Sequence, residues 1–568
     1  MKTSLRVLSI LFAAVLLISC ALVLLSCNDS GGANGSQGSS AADAGGASVG
    51  GSSDADNSAG SGAGISWQDS LARSLAAASP LPGAPAQKDR PNETGRTWYQ
   101  VFIYSFCDAN GDGIGDLRGV TERLDYIHSM GFDGIWLSPI HPSQTYHKYD
   151  VDDYYAIDPA YGTMDDFDSL VAACDELGLK ILLDLVLNHT SIDHPWFDEH
   201  PEYYHIQDEP GGGQWKQLPN GKYYECQFWD RMPDLNLETP ALREEIREIV
   251  DFWFGKGVYG FRLDAVKEYE SGNNAMNIEI LTWFNSMVKS IKPDAYLVGE
   301  NWTTNNSLYT YYQSGVDSFF DFPNAGIDGL IAKTLLQNKP VNNYFNALLS
   351  SQDLIRSYNP TGTSAPFFTN HDNARAAGFM RRDENMIKTA WGMTLMQPGD
   401  AFVYYGEELG MSGSGQDENK RAPMFWTDDP NAAGMAAGPP GREVQAHSFA
   451  PAVAQVEDEN SIFSYMRKAV LLRAKYPEIG RGDISVIDLD KTGDDTGGTG
   501  VVVRTWNGAS ISVIYNVSPD ETVLYLPGAG NLSDYLSATG AEAAQDGSNF
   551  TLPGYTIAIL DNTPPSPQ

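Results

Sequence analysis

From about residue 98 onward, short apolar runs alternate with longer stretches in which apolar positions recur every three or four residues. The short runs cover 101–106, 134–138, 180–185, 260–263, 295–298, 316–320, 366–369 and 401–405. Runs of this length, rich in aromatic and β-branched residues, read as strands buried on both faces. The amphipathic stretches between them, such as 165–177, 240–256 and 277–291, read as helices. This strand-then-helix rhythm predicts an α/β fold, a closed (β/α)8 TIM barrel rather than an open sheet.

Two segments break the rhythm. Residues 189–234, rich in Trp, Tyr and Gly, are too long for a loop and predict a subdomain inserted after strand three. Beyond a helical stretch at 465–475, short alternating runs at 500–506, 510–515, 522–525 and 556–559 are separated by Gly, Asn and Pro turns. They predict a C-terminal antiparallel β-sandwich. The barrel is thus expected over 96–188 and 235–464, and a linking helix with the sandwich over 465–568.

The N-terminal part has another texture. Residues 28–95 are rich in Gly, Ser, Ala and Asp, and predict a flexible tether with one short helix near 67–78. Lys2 and Arg6 precede an apolar run at 7–25, which reads as an export signal over 1–27. Leu24-Leu25-Ser26-Cys27 and Leu17-Ile18-Ser19-Cys20 both resemble a bacterial lipobox. Cys27 is preferred, because cleavage at Cys20 would leave an apolar 21–25 tail. An exported, extracytoplasmic protein anchored by lipid to a bacterial membrane is expected; an uncleaved span is the alternative.

Charge narrows the partners. The 568 residues carry 37 basic and 73 acidic side chains, a net −36. That field repels nucleic acid and anionic membrane, so membrane contact is expected only through the anchor. It suits neutral substrates and divalent cations. Hydrophobic content of 42% supports a large core. Cys107, Cys174 and Cys226 are odd in number and lack metal-ligand spacing, so no disulfide framework is expected. No nicotinamide, flavin or phosphate motif appears, and a monomer is expected.

The C-terminal strand ends carry the chemistry, where barrels of this kind build active sites. After strand three come Asp184, Asn188 and His189; after strand four, Arg262 and Asp264. Strand five is followed by Glu300, Asn301 and Trp302, and strand seven by Asn370, His371 and Asp372. An Asp at a strand end is expensive to bury unless paired or used. Strands four, five and seven bringing Asp264, Glu300 and Asp372 to one mouth argue for use.

These segments resemble the short signature regions of the α-amylase family of glycoside hydrolases. The match runs through 184–189, 260–267, Glu300 and 368–372, with 134–139, 232–236 and 406–411 as further motifs. The Met-Pro-Asp-Leu-Asn form of 232–236 resembles a subfamily intermediate between oligo-1,6-glucosidases and neopullulanases, which includes lipid-anchored bacterial α-amylases. The resemblance implies a retaining glycosidase with Asp264 as nucleophile, Glu300 as acid and base, and Asp372 gripping the distorted sugar ring. It implies that Arg262 aims Asp264 and that His189 and His371 meet ring hydroxyls. Tyr149 would stack on the sugar before the cut, while Lys267 and Trp302 line the leaving-group side.

Within the family, several positions discriminate. Tyr146 stands where exo-acting oligo-1,6-glucosidases place an Asp, and Ala265 where α-1,6-specific members carry Val. Lys148 departs from the usual Gly, and Glu268 from a common His. The resemblance therefore implies an endo-acting α-amylase cutting internal α-1,4 bonds of starch-like glucans. The alternatives are a maltooligosaccharide transglycosylase, a cyclodextrin hydrolase, an α-glucosidase or a non-catalytic glycan-binding lipoprotein.

One further motif concerns a metal. Asp108, Asn110, Asp112, Ile114 (through its carbonyl) and Asp116 fall at positions 1, 3, 5, 7 and 9 of a loop like the front of a calcium-binding loop, with Gly113 at position 6. Position 12 is Gly119, so the loop is not a complete EF-hand. A structural Ca2+ is expected there, as in a subset of the family.

Overall fold

The computed structural model describes residues 65–489 and 497–562. Its centre is a parallel sheet of Thr97–Val101, Gly134–Leu137, Lys180–Leu185, Gly260–Leu263, Tyr296–Gly299, Ser318–Phe320, Thr363–Ala365 and Ala401–Tyr404, paired in chain order. The first strand also pairs with the eighth, Thr97 opposite Ala401. Between the seventh and eighth, the amides of Asp400 and Phe402 donate to the carbonyls of Ser364 and Pro366 at 2.9 and 2.8 Å. These bonds close the sheet into a (β/α)8 barrel.

Period-two alternation explains how one strand serves both core and site. Trp98, Trp136, Leu182, Tyr296, Val298, Phe320 and Phe402 fill the middle of the barrel. Two residues beyond Leu182 is Asp184, and the register sets it opposite Arg262 on strand four. The same inward period therefore delivers charges to the top of the barrel and aromatics to its middle. At the entry to strand four, a Cβ on Gly260 would lie 1.9 Å from the Tyr296 carbonyl oxygen, so only glycine fits. The outer helices follow ordinary signals. Met164–Leu177 opens on a Thr163–Asp166 capping box and closes on Gly178 at φ 76°.

The insertion leaves and rejoins the barrel at one place. Thr190 donates to Pro233 O at 3.2 Å and Leu235 to Asn188 O at 2.8 Å. Between them lies a small antiparallel sheet of Ile206–Gln207, Trp215–Gln217 and Tyr223–Glu225. At the C-terminus a five-stranded and a three-stranded antiparallel sheet share a core that includes Val501, Ile514, Phe550 and Leu560.

Several boundaries differ from expectation. The first strand is Thr97–Val101, not 101–106; Ile103–Ser105 forms a 3-10 turn. Residues 102, 103 and 106 are fully buried in that turn, and burial alone cannot separate a turn from a strand. The seventh strand is Thr363–Ala365 rather than 366–369, because its two leading residues are polar. Asp483–Ile487, Asn531–Ser537, Ala544–Asp546 and Asn549–Leu552 are sandwich strands that polar interruptions concealed. The expected tether does not extend through 65–95. Trp67–Ala77 is a helix seated on the barrel, with Trp67 stacked on Trp426 at 5.8 Å and Leu71 buried. The expected export signal and its Cys20 and Cys27 lie outside the described residues. Cys107, Cys174 and Cys226 are free and buried.

Candidate active site

A cleft of about 560 Å³ opens at the C-terminal ends of the strands. Asp264, Glu300 and Asp372 line it, with Tyr149, His189, Lys267 and Trp302. Beneath it lies Arg262, fully buried. Its Nη1 is 2.6 Å from Asp184 Oδ1 and 2.6 Å from Asp264 Oδ1. Nη2 comes within 2.9 Å of Glu300 Oε2, off the axis of a hydrogen bond. One guanidinium thus faces three carboxylates, so not all three are comfortably ionised together.

The protons settle by environment. Burial pushes Glu300 up to about 8, with Arg262 opposing and Asp264 assisting. Burial likewise raises Asp184 to about 7 against the pull of Arg262. Glu300 Oε2 accepts from the Ala265 amide at 3.3 Å, while Oε1 has no protein partner. The raised value favours the protonated acid at neutral pH, the form a proton donor needs. Burial would also raise Asp372, but His371, Arg421 and Arg262 outweigh it and hold its carboxyl below the usual range.

The sequence did not single out Arg421. Its Nη2 donates to Asp372 Oδ1 at 2.7 Å and its Nη1 to Tyr146 OH at 3.0 Å. It follows the one-turn helix Asp417–Lys420 in a long loop, where a charge without strand or motif context looks like any surface charge. Its removal makes a clear prediction. Arg421→Met loses a charge-assisted bond of about 1.5–3 kcal/mol, so kcat/KM should fall about 10- to 150-fold. Asp372 would then titrate higher, and the acidic limb of the pH profile should move to higher pH. A limb that stays in place would remove Arg421 from this role.

The other expected residues divide into wall and support. Burial lowers the His189 imidazole below its ordinary value, and the residue lines the cleft, with its Nε2 buried and without a protein partner. Trp302 is 47% exposed and backed by Phe322, ring to ring at 5.1 Å. Lys267 Nζ reaches the Trp302 carbonyl at 3.3 Å. His371 lies behind Tyr149 rather than on the cleft wall, the two rings stacked at 5.4 Å. Its Nδ1 meets Gln100 Nε2 at 2.8 Å and its Nε2 meets Tyr149 OH at 2.7 Å. The Tyr149 hydroxyl also donates to Asp184 Oδ2 at 2.9 Å. Tyr146 lies outside the main cleft, in a second hollow with Gln144, Thr145, Gln416, Glu418 and Pro440. The two hollows share His147, Asp417 and Arg421. Phe228 and Trp229 of the insertion, 50% and 40% exposed, form a wall the sequence did not single out.

Residues 100–482 match the family model for the alpha-amylase catalytic domain. The chain belongs to the alpha-amylase family. It is accordingly a glycoside hydrolase. Alpha-amylase 3 of Dictyoglomus thermophilum is 38% identical over 407 residues, covering 69% of this chain and 79% of that protein. An oligo-1,6-glucosidase of Parageobacillus thermoglucosidasius is 30% identical, covering 76% of this chain and 91% of that one. Among solved structures, Eubacterium rectale Amy13B superposes with TM-score 0.80 at 39% identity, over 87% of this chain and 99% of that one.

The loop expected to hold calcium offers only oxygen donors, the chemistry of a hard cation. Asp108 accepts from the amides of Gly111 and Gly113, Asn110 from Asp112, and Asp112 from Ile114. Asp116 accepts from Ala109, Asn110 and Gly119. The loop is therefore folded on its own amides: Asp116 Oδ2 accepts two of them and the other accepting oxygens one each. Among the described residues, no group of three or more His, Cys, Asp or Glu side chains is gathered as a metal set.

Proposed function

We propose that the protein is a retaining, endo-acting α-amylase that cuts internal α-1,4 bonds of starch-like glucans. The observation that carries this reading is that the cleft and the hollow around Tyr146 and Gln416 adjoin, sharing His147, Asp417 and Arg421, which supports a glucan chain running on past the reacting sugar. An exo-acting enzyme needs a blind end there.

In this mechanism Asp264 attacks the anomeric carbon while Glu300 gives its proton to the departing glycosidic oxygen. The resulting glycosyl ester inverts the anomeric centre. Glu300, now a carboxylate, takes a proton from water, which attacks the ester from the face the leaving sugar vacated, and Asp264 departs. Two inversions give retention. Arg262 keeps Asp264 aimed, and contact of both carboxylates with one guanidinium suits the close spacing of a retaining pair, about 5–5.5 Å. Asp372, held ionised by Arg421, accepts hydrogen bonds from the ring hydroxyls of the distorted sugar.

Incubation of residues 65–568 with soluble starch, maltotriose and isomaltose tests the reading. Early mixed maltooligosaccharides from starch, with isomaltose untouched, are the expected outcome. Glucose from isomaltose would instead make it an α-1,6-glucosidase, and products longer than maltotriose a transglycosylase.

Two further elements belong to this reading. Calcium in the 108–116 loop would lock the turn after the first strand. Adding Ca2+ to chelated protein should raise the thermal midpoint, by an increment of about 2.7 kcal/mol at a hundredfold excess over Kd. Asp112→Ala should abolish the rise, and no rise in the wild type would remove the metal. Lipid anchoring at Cys27 rests on the lipobox alone; mass spectrometry of the membrane-extracted protein should find Cys27 as a lipid-bearing N-terminus, and an unmodified Cys27 would refute it.

A further inference from the structure

Lys148 sits in a backbone conformation that its side chain disfavours. Its φ is 67°, the left-handed region natural to glycine. His147 and Tyr149, on either side, both line the cleft. Lys148 turns the other way and is 6% exposed. Its Nζ meets Asp158 Oδ2 at 2.7 Å, with the two side chains 8% and 7% exposed. Nζ also lies 3.4 Å from the Ser143 carbonyl and 5.6 Å from the Tyr161 ring.

Asp158 is itself anchored. Its amide donates to Ile140 O at 2.8 Å, three residues past the second strand. Its Oδ1 accepts from the Ala160 amide at 2.9 Å and its Oδ2 from the Ser143 amide at 3.3 Å. Asp150 Oδ1 accepts from the hydroxyls of Ser143 and Thr145, tying down the same loop. A lysine buried here without its partner would be costly, and a left-handed residue without a tie would relax. Each therefore holds the other.

We propose that the Lys148–Asp158 ion pair is a positioning brace. It sets Tyr149 and His147 against the reacting sugar, and through the Tyr149 hydroxyl it aligns Asp184 and His371. The inference rests on the glycosidase site proposed above. Because the braced groups meet the sugar most closely when it is distorted, the brace acts on kcat more than on KM. A displacement of about 1 Å at such a site lowers the rate by about 10²-fold.

Lys148→Gly separates the brace from the backbone, because glycine adopts φ 67° freely but carries no ammonium. The expected result is a kcat lower by about 10- to 100-fold, with KM within about threefold and an unchanged circular dichroism spectrum. Wild-type kcat in Lys148→Gly would overturn the brace. If the wild type itself turns over no glucan, the proposed function falls instead. The brace is then judged by amide exchange across 143–150, where unchanged protection in Lys148→Gly overturns it.

Discussion

Asp264→Asn should fold normally and lose turnover of starch by roughly 10⁴-fold or more, the scale on which removal of a nucleophile acts. The argument for inactivity is chemical. Arg262 Nη1 grips Asp264 Oδ1 at 2.6 Å, which fixes the carboxylate at the cleft floor; an amide in its place cannot form the glycosyl ester. The argument for folding is electrostatic. Asp184, Asp264 and Glu300 crowd one guanidinium, and deleting one negative charge relieves repulsion while Asp184 still pairs Arg262 at 2.6 Å. The thermal midpoint should therefore be no lower than that of the wild type, as expected where a site trades stability for function. A second variant tests the role directly. Asp264→Gly leaves room for azide, which would attack from the vacated face and give a product of inverted configuration. Residual starch activity above about 1% in Asp264→Asn would sink the assignment.

What was legible in the sequence followed from repetition and from spacing. The barrel announced itself because its strands are short apolar runs between amphipathic helices, and strands three and four fall at 180–185 and 260–263 as the runs predict. Asp184, Arg262 and Asp264 were legible because a charge at the end of an apolar run has no core explanation. Arg421 was not, since it reaches Asp372 from a loop with no periodicity. His371 was visible, but its place behind Tyr149 was not, because that depends on which way Gln100 and Tyr149 point into the barrel mouth. Phe228 and Trp229 were concealed in a segment whose Trp and Tyr content reads equally as core. The helix Trp67–Ala77 was visible as a short helix, yet its docking depends on Trp426, far along the chain, and no local pattern encodes that contact. Local periodicity thus finds elements and strand-end charges; partners brought from distant loops need the fold.

Glu300→Gln carries the second large expectation, and it has a pH signature. Glutamine cannot protonate the leaving oxygen, so turnover of starch should fall about 10²- to 10⁴-fold. Aryl glycosides, whose leaving groups need little protonation, should lose far less. In the wild type burial raises Glu300 to about 8, and the protonated form is the one that starts the reaction. kcat/KM should therefore fall as pH rises through about 8, and that basic limb should vanish in the glutamine variant. The same shift acts on stability, with its sign fixed by linkage. The folded value lies above the ordinary 4.5, so between about 4.5 and 8 the unfolded chain has released a proton that the folded one retains. Wild-type stability from this group is thus lost as pH rises across that window. Glutamine does not titrate, so the midpoint of the variant relative to wild type should climb between pH 5 and 8 and level off above. A basic limb that persists in Glu300→Gln would assign the acid to another group. A midpoint difference independent of pH would show that Glu300 holds no proton against burial.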